Sequence, residues 1–176
     1  MDARPDNLVL IGMPGAGKST VGHALAQALG WEFVDTDRLI EARAGCSLQA
    51  ALEREGAEGF RLLEAAAVAD LCCRGCVIAT GGSVVYSAPA MAALARLGPR
   101  VYLEAPLPVL QARIGDARAR GMLIAPDQSF AQLYAQRLPL YRRYADLTVD
   151  ADRPPKAVAA AILAAAGDSP RPELDN

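Results

Sequence analysis

Short apolar runs alternate along this chain with stretches in which apolar residues return every three or four positions. The runs are 7–11, 31–35, 76–80, 100–104 and 147–149, each bounded by glycine, proline or acidic residues. Such brief runs without polar alternation read as strands buried on both faces. Between them, Val21, Leu25 and Leu29 stand among Ala24, Ala26 and Ala28 as a helical stripe that stops near Gly30. A longer helical pattern covers 38–70, broken at Gly45-Cys46-Ser47 and at Gly56, with Ser47 placed as an N-cap. Further helices are expected over 89–97, 108–114, 129–144 (kinked or interrupted at Pro139) and 154–166. Alternating strands and helices predict an α/β domain, a parallel sheet covered by helices on both faces.

Two stretches escape the alternation. Residues 115–128 are polar, contain glycine, carry Arg118, Arg120 and Asp127, and read as a mobile loop. Residues 167–176, with proline and acidic side chains, read as a disordered tail behind a single domain over 1–166. No internal repeat is present.

In open parallel sheets ligands gather at the carboxyl ends of the strands. Here that edge collects three clusters: Gly12-Met13-Pro14-Gly15-Ala16-Gly17-Lys18-Ser19-Thr20 after the first strand, Asp35-Thr36-Asp37 after the second, and Gly81-Gly82-Ser83 after the third. The first is a G-x-x-x-x-G-K-[ST] loop between strand and helix, the context in which backbone N–H groups and a helix dipole cradle a polyphosphate. Gly15, Ala16, Gly17, Lys18, Ser19 and Thr20 are therefore the expected nucleotide contacts. Lys18 is placed to reach the terminal phosphates and the Ser19 hydroxyl to ligate Mg²⁺. Asp35 is the expected carboxylate that completes the metal shell, direct or through water. Asp37 can take or orient the proton of an attacking hydroxyl, and can also cap the helix beginning at Arg38. Gly81-Gly82 permits close backbone approach to a ligand or makes a plain tight turn. Arg61 and Arg137 carry the planar fork that matches a substrate carboxylate, or are solvated charges.

Composition narrows the partners. A formal net charge of −2 over 176 residues leaves no electrostatic footprint for nucleic acid or an anionic membrane. No apolar run reaches membrane-spanning length and no signal sequence opens the chain, so the cytoplasm is the expected location. The four cysteines, Cys46, Cys72, Cys73 and Cys76, form no disulfide framework, and Cys73-x-x-Cys76 reads as small apolar residues at a helix–strand junction. His23, the one histidine, lacks partners for metal or triad chemistry.

The ordered set formed by the phosphate loop, Asp35-Thr36-Asp37, Phe60-Arg61-x-x-Glu64, Thr80-Gly81-Gly82 and Arg137-x-Pro139-Leu140-Tyr141 resembles shikimate kinases from about residue 7 to 166. The resemblance implies a nucleoside-monophosphate-kinase type of fold with a five-stranded parallel sheet. It implies ATP and Mg²⁺, and phosphorylation of the 3-hydroxyl of shikimate on the route to chorismate. By position it makes Lys18, Asp37 and Arg120 catalytic, and Ser19 and Asp35 metal ligands. Asp37, Arg61, Gly81, Gly82, Ser83 and Arg137 become the acceptor contacts. Arg113 and Arg153 border the adenine, and Arg120 is the lid arginine beside the transferred phosphate. A monomer is the expected state. Two positions depart from the family pattern: Ser83 replaces a third glycine, and Arg120-Gly121-Met122-Leu123 replaces Arg-Pro-Leu-Leu. Both face the acceptor side, so the alternatives are a related kinase for another small hydroxy acid such as homoserine, and a nucleotide-binding regulatory module without catalysis.

Overall fold

The computed structural model describes residues 6–115 and 128–168. Strands β1 (Asn7–Ile11), β2 (Glu32–Asp35), β3 (Cys76–Ala79), β4 (Arg100–Glu104) and β5 (Leu147–Asp150) form one parallel sheet in the order β2-β3-β1-β4-β5. Around it lie α1 (Lys18–Leu29), α2 (Thr36–Ala44), α3 (Leu48–Ala69), a 3₁₀ turn (Val84–Tyr86), α4 (Ala88–Leu97), α5 (Leu107–Ile114), α6 (Phe130–Tyr144) and α7 (Pro155–Asp168). The expected parallel sheet and helical layers are therefore present.

Central β1 is buried along its whole length, which its unbroken apolar run requires of a strand covered on both faces. The one polar exception, Asn7, closes the amino end of the sheet. Its Nδ2 donates to the carbonyls of Cys73 and Leu97, each at 2.9 Å, and its Oδ1 accepts from the Cys76 N–H at 3.0 Å. The opposite end is fastened at Thr80, whose N–H and Oγ1 donate to the Leu10 carbonyl at 3.1 and 3.0 Å.

Helices α2 and α3 form a second, smaller core of Ile40, Ala51, Phe60 and Ala67. The expected break at Gly56 is a local one: the residue adopts φ 69°, ψ 179° inside α3, and helix resumes beyond it. Ser47 caps α3, accepting from the Ala50 N–H. The expected interruption at Pro139 is absent. Helix α6 runs unbroken from Ser129, whose capping box with Gln132 starts it, to Tyr144, and buries Leu133, Arg137 and Tyr141. Packing of that face outweighs the backbone hydrogen bond that Pro139 cannot donate. Helix α7 extends two residues past its expected end at Ala166. The expected lid, with Arg118, Arg120, Gly121 and Asp127, and the tail beyond Asp168 lie outside the described residues.

Candidate active site

The carboxyl ends of the strands open into a cleft of about 580 Å³. At one end lies the phosphate loop. Gly15 takes φ +81°, and a Cβ there would stand 2.7 Å from Ile114 Cγ1, so only glycine lets the loop close against α5. Helix α1 begins at Gly17 with neither a side-chain cap nor an acidic residue in its first turn. Its first N–H groups thus have no side-chain acceptor, and together with the dipole they suit a polyanion. The Lys18 ammonium folds back to donate to the carbonyls of Gly12 at 2.8 Å and Met13 at 2.9 Å. Burial lowers its pKa to about 8, opposed by the negative charge of Asp37, Asp35 and Glu64. It remains a cation at neutral pH, held where incoming phosphates can draw it out.

Asp35 ends β2 and Asp37 follows in α2. The capping role expected of Asp37 belongs instead to Asp35, whose Oδ1 accepts from the Asp37 N–H at 3.0 Å. The reason is register: α2 begins at Thr36, two residues before the expected start at Arg38. Freed of the cap, the Asp37 carboxylate lines the cleft. Burial, reinforced by the charge of Asp35 and opposed by that of Lys18, raises its pKa to about 6. Ser19 and Asp35 line the same cleft and offer hard oxygen donors, the chemistry Mg²⁺ requires of a site completed by water and phosphate.

Beyond Asp37 the cleft is lined by Glu64, Gly81, Gly82, Ser83 and Arg137. The Gly81 N–H donates to Thr36 Oγ1 at 3.2 Å, which ties this loop to the start of α2. A Cβ on Gly81 would stand 2.5 Å from Glu64 Oε1 and 2.9 Å from Asp37 Oδ1, so two carboxylates converge over a glycine that must stay bare. Arg137 is fully buried, its Nη1 over Gly82 and its Nε donating to the Tyr86 hydroxyl at 3.3 Å. Tyr141 stacks on Tyr102 and donates its hydroxyl to the Gly82 carbonyl at 2.7 Å, fixing that loop from α6.

Most candidates from the sequence meet here, with three refinements. Arg61 is exposed and is not among the residues that line the cleft, its guanidinium lying 4.8 Å from the centre of the Tyr86 ring. Ser83 faces inward, but its hydroxyl is spent on Glu64 Oε2 at 2.8 Å. Arg113 and Arg153 line the nucleotide end, with Arg113 Nη1 donating to the Ala151 carbonyl at 3.0 Å. Arg120 lies outside the described residues. The Cys73-x-x-Cys76 pair is reduced and remote from the cleft lining, with burial raising the Cys73 thiol to about 12. Among the described residues no cluster of His, Cys, Asp and Glu is built to hold a metal on its own. No helix there is long and apolar enough to cross a membrane.

Sequence reasoning missed Glu64 as a member of the site, although it lies within a motif. Nothing in its helical spacing shows that this carboxyl turns inward to become 1% exposed, with Oε1 buried and unpaired. Burial pushes its pKa up to about 7, and the Ser83 hydrogen bond works in the opposite direction. The unfolded chain releases this proton near pH 4.5, the folded chain near 7, so stability falls as pH rises through that window and stays reduced above it. Glu64→Gln has no proton to release. It should raise ligand-free stability by about 2 kcal/mol at pH 8 and leave it unchanged at pH 4, measured by urea unfolding at both pH values. An equal gain at both would show that the effect is not ionisation.

The profile of the shikimate kinase family matches residues 14–166. The chain belongs to the shikimate kinase family. A shikimate kinase from Pseudomonas savastanoi pv. phaseolicola is 40% identical over 168 residues, spanning 93% of this chain and 98% of that one. One from Pseudomonas entomophila is 42% identical over 161 residues, spanning 89% and 94%. Among solved structures, shikimate kinase from Acinetobacter baumannii in complex with shikimate superposes with a TM-score of 0.84 at 35% identity, covering 90% of this chain and 91% of that one. A gluconokinase from Sinorhizobium meliloti, at a TM-score of 0.57, 20% identity and 94% coverage of both chains, shares the fold. The expected nucleoside-monophosphate-kinase-like architecture is thus that of the shikimate kinase fold.

Proposed function

We propose that the chain transfers the γ-phosphate of ATP to the 3-hydroxyl of shikimate. The observation that carries the reading is one cleft holding an uncapped phosphate loop at one end and, at the other, Asp37 beside an arginine buried over a bare glycine loop. Membership of the shikimate kinase family names the acceptor. In this reading the first turn of α1 and Lys18 bind the phosphates, while Arg113 and Arg153 border the base. Arg120, from the lid, meets the moving phosphoryl group. Ser19 and Asp35 would hold Mg²⁺, which when bound neutralises charge on the phosphate oxygens. Arg61 and Arg137 hold the shikimate carboxylate, and Gly81, Gly82 and Ser83 line its ring. The acceptor oxygen attacks phosphorus in line, its proton passes to Asp37, and ADP leaves. Positioning and electrostatics supply nearly all the acceleration that such a transfer needs.

Ser83 and the Arg120-Gly121-Met122-Leu123 sequence are the two departures that raised homoserine or another hydroxy acid as the acceptor, and the second lies outside the described residues. The Ser83 hydroxyl, turned onto Glu64, adds no new donor to the acceptor space, so that ground for a redirected pocket falls away. A bare switch is disfavoured by a cleft with a complete acceptor end. The test is ADP release from Mg·ATP with shikimate, quinate, homoserine or no acceptor. Turnover should be efficient with shikimate and at least about 100-fold weaker with homoserine, since a site built to bind a carboxylate and hydroxyl set rejects analogues that leave its polar groups unpaired. Comparable turnover with homoserine, or ATP hydrolysis indifferent to acceptor, would overturn the assignment.

A further inference from the structure

We infer that Tyr86 is a positioning residue for the acceptor's carboxylate: its ring is the shelf that holds both arginines of the clamp, Arg61 and Arg137. This rests on the reading of those arginines given above. Three separate elements meet at the ring. Arg61 comes from α3, Arg137 from α6, and Tyr86 from the 3₁₀ turn behind the Gly81-Gly82 loop. The Cζ of Arg61 lies 4.8 Å from the ring centre and that of Arg137 5.3 Å, both within cation–π range.

Two guanidinium groups aimed at one anion repel each other until it arrives. Arg61 is the vulnerable partner. It is exposed, and among the described residues no carboxylate or carbonyl holds its guanidinium; the Tyr86 ring is the group it rests on. A long side chain left to water would spread over many rotamers, and binding would have to gather it in. The ring's negative face attracts both cations and restrains Arg61 before the acceptor binds. For Arg137 the tyrosine does something further. Its hydroxyl accepts from Nε at 3.3 Å, which engages the inner edge of the fork and leaves Nη1 over Gly82, inside the cleft. The shelf itself is rigid, because Val84 and Val85 are buried, the Tyr86 N–H donates to the Ser83 carbonyl at 3.0 Å, and Ser87 caps α4 directly after it.

Steady-state kinetics of the full chain tests this with Tyr86→Leu, which removes ring and hydroxyl, and Tyr86→Phe, which removes the hydroxyl alone. Loss of both cation–π contacts is expected to raise KM for shikimate about 10-fold in Tyr86→Leu, and loss of the hydroxyl that accepts from Arg137 about 3-fold in Tyr86→Phe, with KM for ATP unchanged and kcat within about 3-fold. In an Arg61→Ala background the effect of Tyr86→Leu should fall from about 10-fold to about 3-fold, because only its hold on Arg137 remains. A structural role would penalise both backgrounds equally and would also move KM for ATP. If Arg61→Ala raises KM for shikimate while Tyr86→Leu does not, the shelf is overturned and the clamp stands. If Arg61→Ala and Arg137→Ala both leave shikimate binding intact, the clamp itself falls and the shelf with it. Should Tyr86→Leu melt early, Tyr86→Met, which fills space without a π face, decides: a loss confined to KM for shikimate supports the shelf, and wild-type kinetics overturn it.

Discussion

Lys18→Ala should lower acceptor-dependent ADP release by about 10³-fold or more and weaken Mg·ATP binding at the same time. Removing one preorganised group that meets developing charge commonly costs about 10²–10³ in rate, and a full cation beside the terminal phosphates sits at or above the top of that range. The structure gives a second reason. The ammonium is lodged between the carbonyls of Gly12 and Met13, so its charge is present before nucleotide arrives and needs no gathering from solvent. Truncation also leaves those two carbonyls, in a buried part of the loop, without their donor. Nucleotide titration by calorimetry alongside the assay checks both parts. A variant that binds Mg·ATP normally and loses only turnover would mean that Lys18 acts on the transition state alone.

Asp37→Ala should be nearly as damaging to turnover and harmless to ATP. A positioned proton acceptor is worth about 10²–10⁴ in rate, and Asp37 stands at the acceptor end of the cleft, over Gly81. Its raised pKa adds a pH signature. The group works as the carboxylate, so in the wild-type enzyme kcat/KM should be level around pH 7 and fall tenfold per unit below about pH 6. Deprotonation needs no assistance near neutrality, and the nearby Lys18 cation favours it. The acid limb should be absent from whatever residual activity Asp37→Ala retains. Loss of ATP affinity as large as that of Lys18→Ala would place Asp37 with the nucleotide instead. The two variants together separate the halves of the site: one should fail at both substrates, the other at the acceptor alone.

The nucleotide half was legible because its signal is local. A glycine loop between a strand and a helix has essentially one structural outcome, and Gly15, Lys18 and Ser19 stand where adjacent residues in the sequence must put them. The acceptor half depends on long-range packing, and legibility fell accordingly. Asp35 and Asp37 were both placed at the end of β2, but the cap falls to Asp35 instead of Asp37, because a helix start shifted by two residues changes which side chain faces the first turn. Arg137 was found as a charge, while its complete burial follows from α6 running straight through Pro139, which propensity argues against. Glu64 and Tyr86 were not found. An acid one turn beyond an arginine on a helix looks like a surface pair, and a tyrosine after a glycine turn has no pattern at all. What makes each part of the site is a neighbour distant in sequence: Ser83 for Glu64, and the paired arginines for Tyr86.

The Leu10 carbonyl, which receives both donors of Thr80, has a consequence for how the two substrates are aimed. The phosphate loop, proposed to hold the donor, leaves β1 two residues after this carbonyl, and the Gly81-Gly82 loop, proposed to hold the acceptor, follows directly after Thr80. Both arms of the reaction are thus surveyed from one benchmark. Thermal displacement of the strand ends carries the two loops together, and the separation between attacking oxygen and phosphorus varies less than either loop's own position. For a transfer in which a misplacement of about 1 Å can cost about 100-fold in rate, shared drift is harmless where independent drift is not.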